Sequence, residues 1–255
     1  MATGNGETEC LIFGTNYTEV AKDLIGYNLS IIAGFPFISA HAAYVHVHNI
    51  KDIAGLASVR AITSQSKVYT LGKYNGTNKS GQVSQKDVAA SVFSAYSESL
   101  LGDCRDEHLY SGVCEAHSAG NFGEGVAIAI IDTGIIPHLD FVMPTDRISA
   151  FTDFVDGVDF AIDNFGHGTA VASIASGNGL ISGRKFVGVA PKSNIIALRA
   201  IGGKGEGGAF KILESMQWII DHKEIYNIRV VCMSFGAKPQ EIDPLVTKAI
   251  KLLAK

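Results

Sequence analysis

The chain has little of what would mark it as a secreted, membrane or nucleic-acid protein. It carries only 4 cysteines in 255 residues, and Cys10, Cys104, Cys114 and Cys232 show none of the close spacings of a zinc site. Cys104 and Cys114 could pair, but free thiols in a reducing compartment are the simpler reading. No apolar run reaches the roughly 18 residues that a membrane span requires. The opening Met1–Glu7 lacks the basic and apolar regions of a signal peptide. A net charge of -4 gives no case for nucleic acid or an anionic membrane. Together these favour a cytoplasmic protein. Tryptophan (1) and proline (6) are also scarce, whereas 28 glycines and 47% hydrophobic residues suit a well-packed α/β chain with tight loops. The length allows one or two domains.

Three stretches organise what is present. Val126-Ala127-Ile128-Ala129-Ile130-Ile131 runs into Asp132-Thr133-Gly134. Such a run reads as a strand buried on both faces of a parallel sheet, with Asp132 at its carboxyl end, where open α/β sheets build their sites. Asp132 could equally cap the next turn. Further on, Asn164-Phe165-Gly166-His167-Gly168-Thr169-Ala170 places His167 between two glycines at the start of a small-residue helix. Arg229-Val230-Val231-Cys232-Met233-Ser234-Phe235-Gly236 reads as another buried strand, with Cys232 a small core hydrophobe.

In their order and spacing, with Val187-Gly188-Val189-Ala190-Pro191 between them, these stretches resemble the Asp, Gly-His-Gly-Thr and Met-Ser-Leu-Gly motifs of the subtilisin-like serine peptidases, the subtilases. Trp218–Lys223 and Asn227–Val230 look most like the intracellular, AprX-type members. The resemblance implies a three-layer, mostly parallel α/β sheet and a Ser-His-Asp charge system. Asp132 would orient His167, and His167 would act as general base and acid. A serine hydroxyl is a poor nucleophile until an imidazole takes its proton, and a buried carboxylate fixes that imidazole's tautomer. The family has His where Ala170 stands, at a position that is not catalytic. Nothing after Gly236 matches the Gly-Thr-Ser nucleophile segment or the oxyanion-hole Asn, so the chain looks like the front part of a longer protease. Ser234 belongs by the family pattern to the specificity-pocket wall.

The resemblance also implies how substrate binds. Gly205-Glu206-Gly207, after Asn194–Ala200, would pair with one side of a polypeptide and Ser234-Phe235-Gly236 with the other. Phe235 stands where the family usually has Leu and would narrow the primary pocket. Glu206 would favour basic residues before the cleaved bond. Asp140 aligns with a calcium ligand of extracellular subtilases. The loop Gly177–Lys185 departs from the calcium-binding version and brings Arg184 and Lys185, so no metal or other cofactor is expected.

Residues 8–71 read as a small α+β unit in the order β-α-β-β-α-β, a ferredoxin-like arrangement. The strand Ala42–His48 alternates Ala43, Val45 and Val47 with Tyr44, His46 and His48. The two histidines could share a face as metal ligands, but surface histidines on a half-exposed strand are commoner. Val59–Leu71 ends the unit extended. Placed before the motifs, this unit resembles the inhibitory propeptide of subtilases. It would pack on the catalytic domain and lay its tail, about Lys67 to Leu71, in the substrate groove. Residues 72–107 form a polar linker followed by a helical pattern over Ser84–Leu101, and residues 108–255 the catalytic part. Leu109–His117 resembles that part's first helix. Arg147–Phe154 reads as a strand. Ala209–Lys223 reads as a helix with a stripe of Ile212, Met216, Trp218, Ile219 and Ile220. Asp243–Leu253 reads as a helix burying Leu245, Ala249, Ile250 and Leu253.

Two other functions bear weighing. A catalytically inactive chain could act as an inhibitor or binding module through residues 8–71. Asp-Thr-Gly also marks aspartic peptidases, but those need two such carboxylates and an all-β fold, whereas this chain alternates strands with helices.

Overall fold

The computed structural model describes residues 6–70, 112–237 and 244–254. The 72–107 linker, with its helical pattern and Cys104, lies outside the described residues.

The chain begins with β1 (Glu7–Gly14) and α1 (Tyr17–Leu24). The side chain of Asn16 caps α1, accepting from the amides of Thr18 and Glu19 at 2.9 and 3.3 Å. Asn16→Ala is expected to cost about 1 kcal/mol, read as a shift of the urea unfolding midpoint. Next come β2 (Ser30–Phe35), β3 (Ala40–His46), α2 (Ile50–Ala54) and β4 (Val59–Ser64). The sheet runs β2-β3-β1-β4, antiparallel between β1 and both β3 and β4 and between β2 and β3. This is the ferredoxin-like order expected. Val20, Leu24 and Ile53 from the helices pack on Cys10, Ile12, Ala43, Val45 and Val59 of the sheet.

One expectation for this region is corrected. β3 ends at His46, because Val47–Asn49 turn into a 3-10 helix, so Val47 is exposed and His48 is off the strand. The stretch from Val59 to Thr70 is extended apart from a break at Gln65 and Ser66, after which β5 (Lys67–Thr70) joins a different sheet from β4. Leu71 lies outside the described residues.

The remaining elements are α3 (Val113–Ser118), β6 (Ala127–Asp132), α4 (Leu139–Val142), β7 (Ile148–Asp153), α5 (His167–Ser176), β8 (Asn194–Arg199), β9 (Glu206–Gly208), α6 (Ala209–His222), β10 (Ile228–Cys232), β11 (Phe235–Gly236) and α7 (Pro244–Leu253). Strands β10, β6, β8 and β7 form a parallel sheet in that order. Every residue of β6 is buried, as its unbroken apolar run requires. α5 packs on β6 and β8, with Ala172 closed onto Ile128, Ile130, Ile195 and Ala197. In the third stretch β10 pairs with β6 alone among the described strands, and Arg229 and Val230 are exposed where a buried strand was expected, with Cys232 half-buried.

The described residues divide into two compact units. One gathers those within 1–67, 208–220 and 237–255, the other those within 68–207 and 221–236. In the first unit, the Ala209 amide donates to the Ser66 carbonyl at 2.9 Å, and Lys248 Nζ of α7 lies 4.0 Å from the Phe13 ring centroid. Burial pushes the Glu9 carboxyl up, and Lys211 of α6 partly offsets it. On α6, Ile212, Met216 and Ile219 are buried while Trp218 and Ile220 are half-buried. On α7, Leu245 and Ala249 are buried but Ile250 is exposed. Among the described residues no helix is long and apolar enough to cross a membrane.

Candidate active site

Asp132 closes β6 and His167 opens α5. The Asp132 carbonyl accepts from the amides of Ala200 and Ile201 at 3.0 and 3.1 Å, which fixes the strand end. His167 Nδ1 lies 2.7 Å from Asp132 Oδ1, and both side chains are buried. A carboxylate oxygen can only accept, so Nδ1 carries the proton and Nε2 is the basic atom of the neutral ring. Thr133 N–H donates to the same Oδ1 at 2.7 Å. Among the described residues no serine hydroxyl is hydrogen-bonded to His167.

The pair can meet because two loops approach at backbone distance. Gly134 has φ +117, and a Cβ there would lie 1.9 Å from the Ile162 carbonyl oxygen. A Cβ on Gly168 would lie 2.2 Å from the Gly134 carbonyl oxygen. Ile135 N–H donates to that Ile162 carbonyl at 3.1 Å.

Asp163, four residues before His167, is a site residue that sequence reasoning missed. It is buried and accepts five hydrogen bonds. Oδ1 takes Thr133 Oγ1–H at 2.9 Å and the amides of Phe165 and Gly166 at 3.1 and 2.7 Å. Oδ2 takes the amide and the hydroxyl of Thr169 at 2.8 and 2.6 Å. The first turn of α5 is satisfied in this way, since its orphan amides need acceptors and an anion suits a helix N-terminus. An acidic residue just before a Gly-His-Gly helix start was the available signal.

Arg199 was also missed. It pairs in register with Asp132 on β8, and its buried Nη1 lies 2.8 Å from both Asp153 Oδ2 and Asp156 Oδ2. Burial alone would raise the Asp153 carboxyl. The amides of Val155, Asp156 and Val158, together with Arg199, outweigh it and hold the group below the usual carboxylate range.

The residues expected to bind a peptide flank a strand of the chain itself. β5 lies between β11 and β9. Thr70 pairs antiparallel with Phe235, Tyr69 pairs with Gly236, and Thr70 N–H donates to the Gly205 carbonyl at 3.2 Å. Glu206 and Gly207 belong to β9, while Ser234 stands just before β11 with its Oγ 3.6 Å from Cys232 Sγ. Thr70 is fully buried. A Cβ on Gly205 would come within 2.8 Å of the Phe165 ring and 2.9 Å of Thr70 Oγ1, which is why glycine stands there.

Asp140 Oδ1 accepts from the Ile181 amide at 2.9 Å, so the Gly177–Lys185 loop turns a donor toward this carboxylate. No cluster of three His, Cys, Asp or Glu side chains suited to a metal occurs among the described residues. The His46 and His48 rings lie tilted, with centroids 4.2 Å apart, without a third such ligand among the described residues. Cys10, Cys114 and Cys232 are free thiols.

The family model described as Subtilase family matches residues 123–253. Serine protease AprX of Bacillus subtilis is 33% identical over 132 residues, which cover 49% of this chain and 29% of that protein. Subtilisin Savinase of Lederbergia lenta is 36% identical over 104 residues, covering 40% of this chain and 36% of that protein. The chain thus spans about a third of the length of these relatives. The crystal structure of the epidermin leader peptide processing serine protease from Staphylococcus aureus superposes with a TM-score of 0.61 at 17% identity, over 97% of this chain and 57% of that one. Fervidolysin from Fervidobacterium pennivorans gives 0.57 at 18% identity, over 97% and 38%. These two likenesses concern the fold.

Proposed function

Because the chain belongs to the subtilase family, we propose that it carries the acid–base half of a serine endopeptidase acting on polypeptides. The observation that carries this reading is the 2.7 Å contact between Asp132 and His167. His167 Nε2 takes the proton of a serine hydroxyl as that oxygen attacks the peptide carbonyl, and Asp132 stabilises the imidazolium. The same proton then passes to the leaving amine, and water repeats the cycle on the acyl-enzyme. In this reading the nucleophile and the oxyanion Asn are not among these 255 residues.

A fluorophosphonate probe tests it. No labelling is expected of the 255-residue chain, whereas a longer chain that adds a subtilase nucleophile segment should label and lose labelling in His167→Ala. Labelling of the 255-residue chain that depends on His167 would sink the assignment of the nucleophile elsewhere. Phe235 would then restrict the primary pocket, and Glu206 would favour a basic side chain a few positions before the cleaved bond.

A second role is favoured by β5. Residues 8–71 would serve as an inhibitory propeptide, packed on α6 and α7, with its tail held between β9 and β11 as a cleaved product would be. Alone, the same unit could inhibit other subtilases.

A further inference from the structure

We propose that Asp163 is the positioning residue of the acid–base pair. It acts by fixing the direction of two threonine hydroxyls that tie the Asp132 loop to the His167 loop. The inference rests on the reading of Asp132 and His167 as that pair.

The two ties are reciprocal. Thr133, on the Asp132 loop, donates its hydroxyl proton to Asp163 Oδ1 at 2.9 Å, and its oxygen accepts the Gly168 amide at 2.9 Å, one residue past His167. Thr169, on the His167 side, donates to Asp163 Oδ2 at 2.6 Å, and its oxygen accepts the Ile136 amide at 3.1 Å, back on the Asp132 loop. A hydroxyl has one proton to give and rotates to suit its surroundings. Two carboxylate oxygens that can only accept leave each hydroxyl one choice, so each lone pair is aimed at the opposite loop. The remaining donors to Asp163, the amides of Phe165, Gly166 and Thr169, set the turn from which the imidazole projects. Among the described residues Asp163 makes no hydrogen bond to the His167 ring. It acts through Thr133, Thr169 and the first turn of α5. Asparagine cannot replace it, because whichever way the amide is turned, an NH2 faces donors on one side.

The test uses the 255-residue chain with labelled histidine, so it does not require turnover. Wild type is expected to show a low-field Nδ1–H resonance for His167 that disappears in Asp132→Asn. Its absence from wild type would overturn the reading of the pair itself. Given that resonance, Asp163→Asn is expected to lose it through faster solvent exchange, with the ring populating both tautomers, in a chain whose amide spectrum remains folded. Thr133→Val removes the tie at nearly constant volume and should lose the resonance as well. Thr133→Ser keeps the hydroxyl and should restore it. If the resonance survives both in a folded Asp163→Asn and in Thr133→Val, the positioning role is wrong. If Asp163→Asn fails to fold, the Thr133→Val and Thr133→Ser pair decides, because a merely structural methyl would not distinguish them in this direction.

Discussion

Gly134→Ala is expected to be among the most damaging single-methyl additions in the chain. The new Cβ would sit 1.9 Å from the Ile162 carbonyl oxygen, 3.0 Å from its carbon and 3.3 Å from Arg199 Cδ, at φ +117. The nearest atom is backbone, held by the bond from the Ile135 amide, so it cannot swing aside as a side-chain tip would. Overpacking together with a backbone conformation that L-residues avoid should cost about 3 kcal/mol or more. Because the clash lies between the two loops that bring Asp132 to His167, that contact should be lost along with stability. Gly125→Ala is the control. Its φ is also positive, at +81, but a Cβ there meets nothing within 4 Å. It should cost only about 1 kcal/mol, the conformational part alone. Denaturant unfolding of both variants, with the His167 resonance as a second readout, separates the steric from the torsional effect. Equal midpoints for the two variants would contradict the close approach of the loops.

Asp153→Ala is expected to cost about 3–5 kcal/mol, because it leaves a buried guanidinium without its buried partner. The Asp153 side chain is 0% exposed and that of Arg199 2%, whereas the other partner, Asp156, is 61% exposed and holds its charge largely in water. The same pair gives the fold an acid limit. The folded Asp153 carboxyl titrates below its ordinary value, so its contribution is complete above the ordinary carboxylate range and is lost as pH falls through the depressed value. Wild type should therefore lose melting temperature steeply below about pH 4. Asp153→Ala should start lower at neutral pH and fall less over the same interval. Parallel melting curves against pH for the two proteins would show that the pair does not set the acid limit.

The sequence made one kind of information plain and concealed another. The strand β6 and its terminal Asp132 were legible because a short unbroken apolar run that ends in a Gly turn suits a strand covered on both faces. The Gly-His-Gly pattern around His167 was legible because backbone approach leaves glycine as its mark. The order of β1 to β4 was legible from alternation and helical spacing. Exposure was harder to read. Val230 and Arg229 are exposed on β10, and Val47 leaves the sheet in a 3-10 turn, because composition does not state which neighbour a strand will find. Asp163 and Arg199 went unread for a different reason. The Asp153 partner of Arg199 lies 46 residues away, and Asp163, although it stands just before Gly-His-Gly and takes four of its five bonds from within six residues, is tied to the Asp132 loop by Thr133, 30 residues away.

The placement of β5 between two strands has a consequence for handling the protein. β9 and β11 each turn a row of main-chain groups inward, and β5 is what pairs with them. A preparation trimmed of its first 70 residues would leave a slot whose two rims both seek an extended chain, with backbone partners that hardly distinguish one sequence from another. Such a preparation should scavenge unfolded polypeptide, including other copies of itself, and it would keep better in the presence of a short decoy peptide than alone.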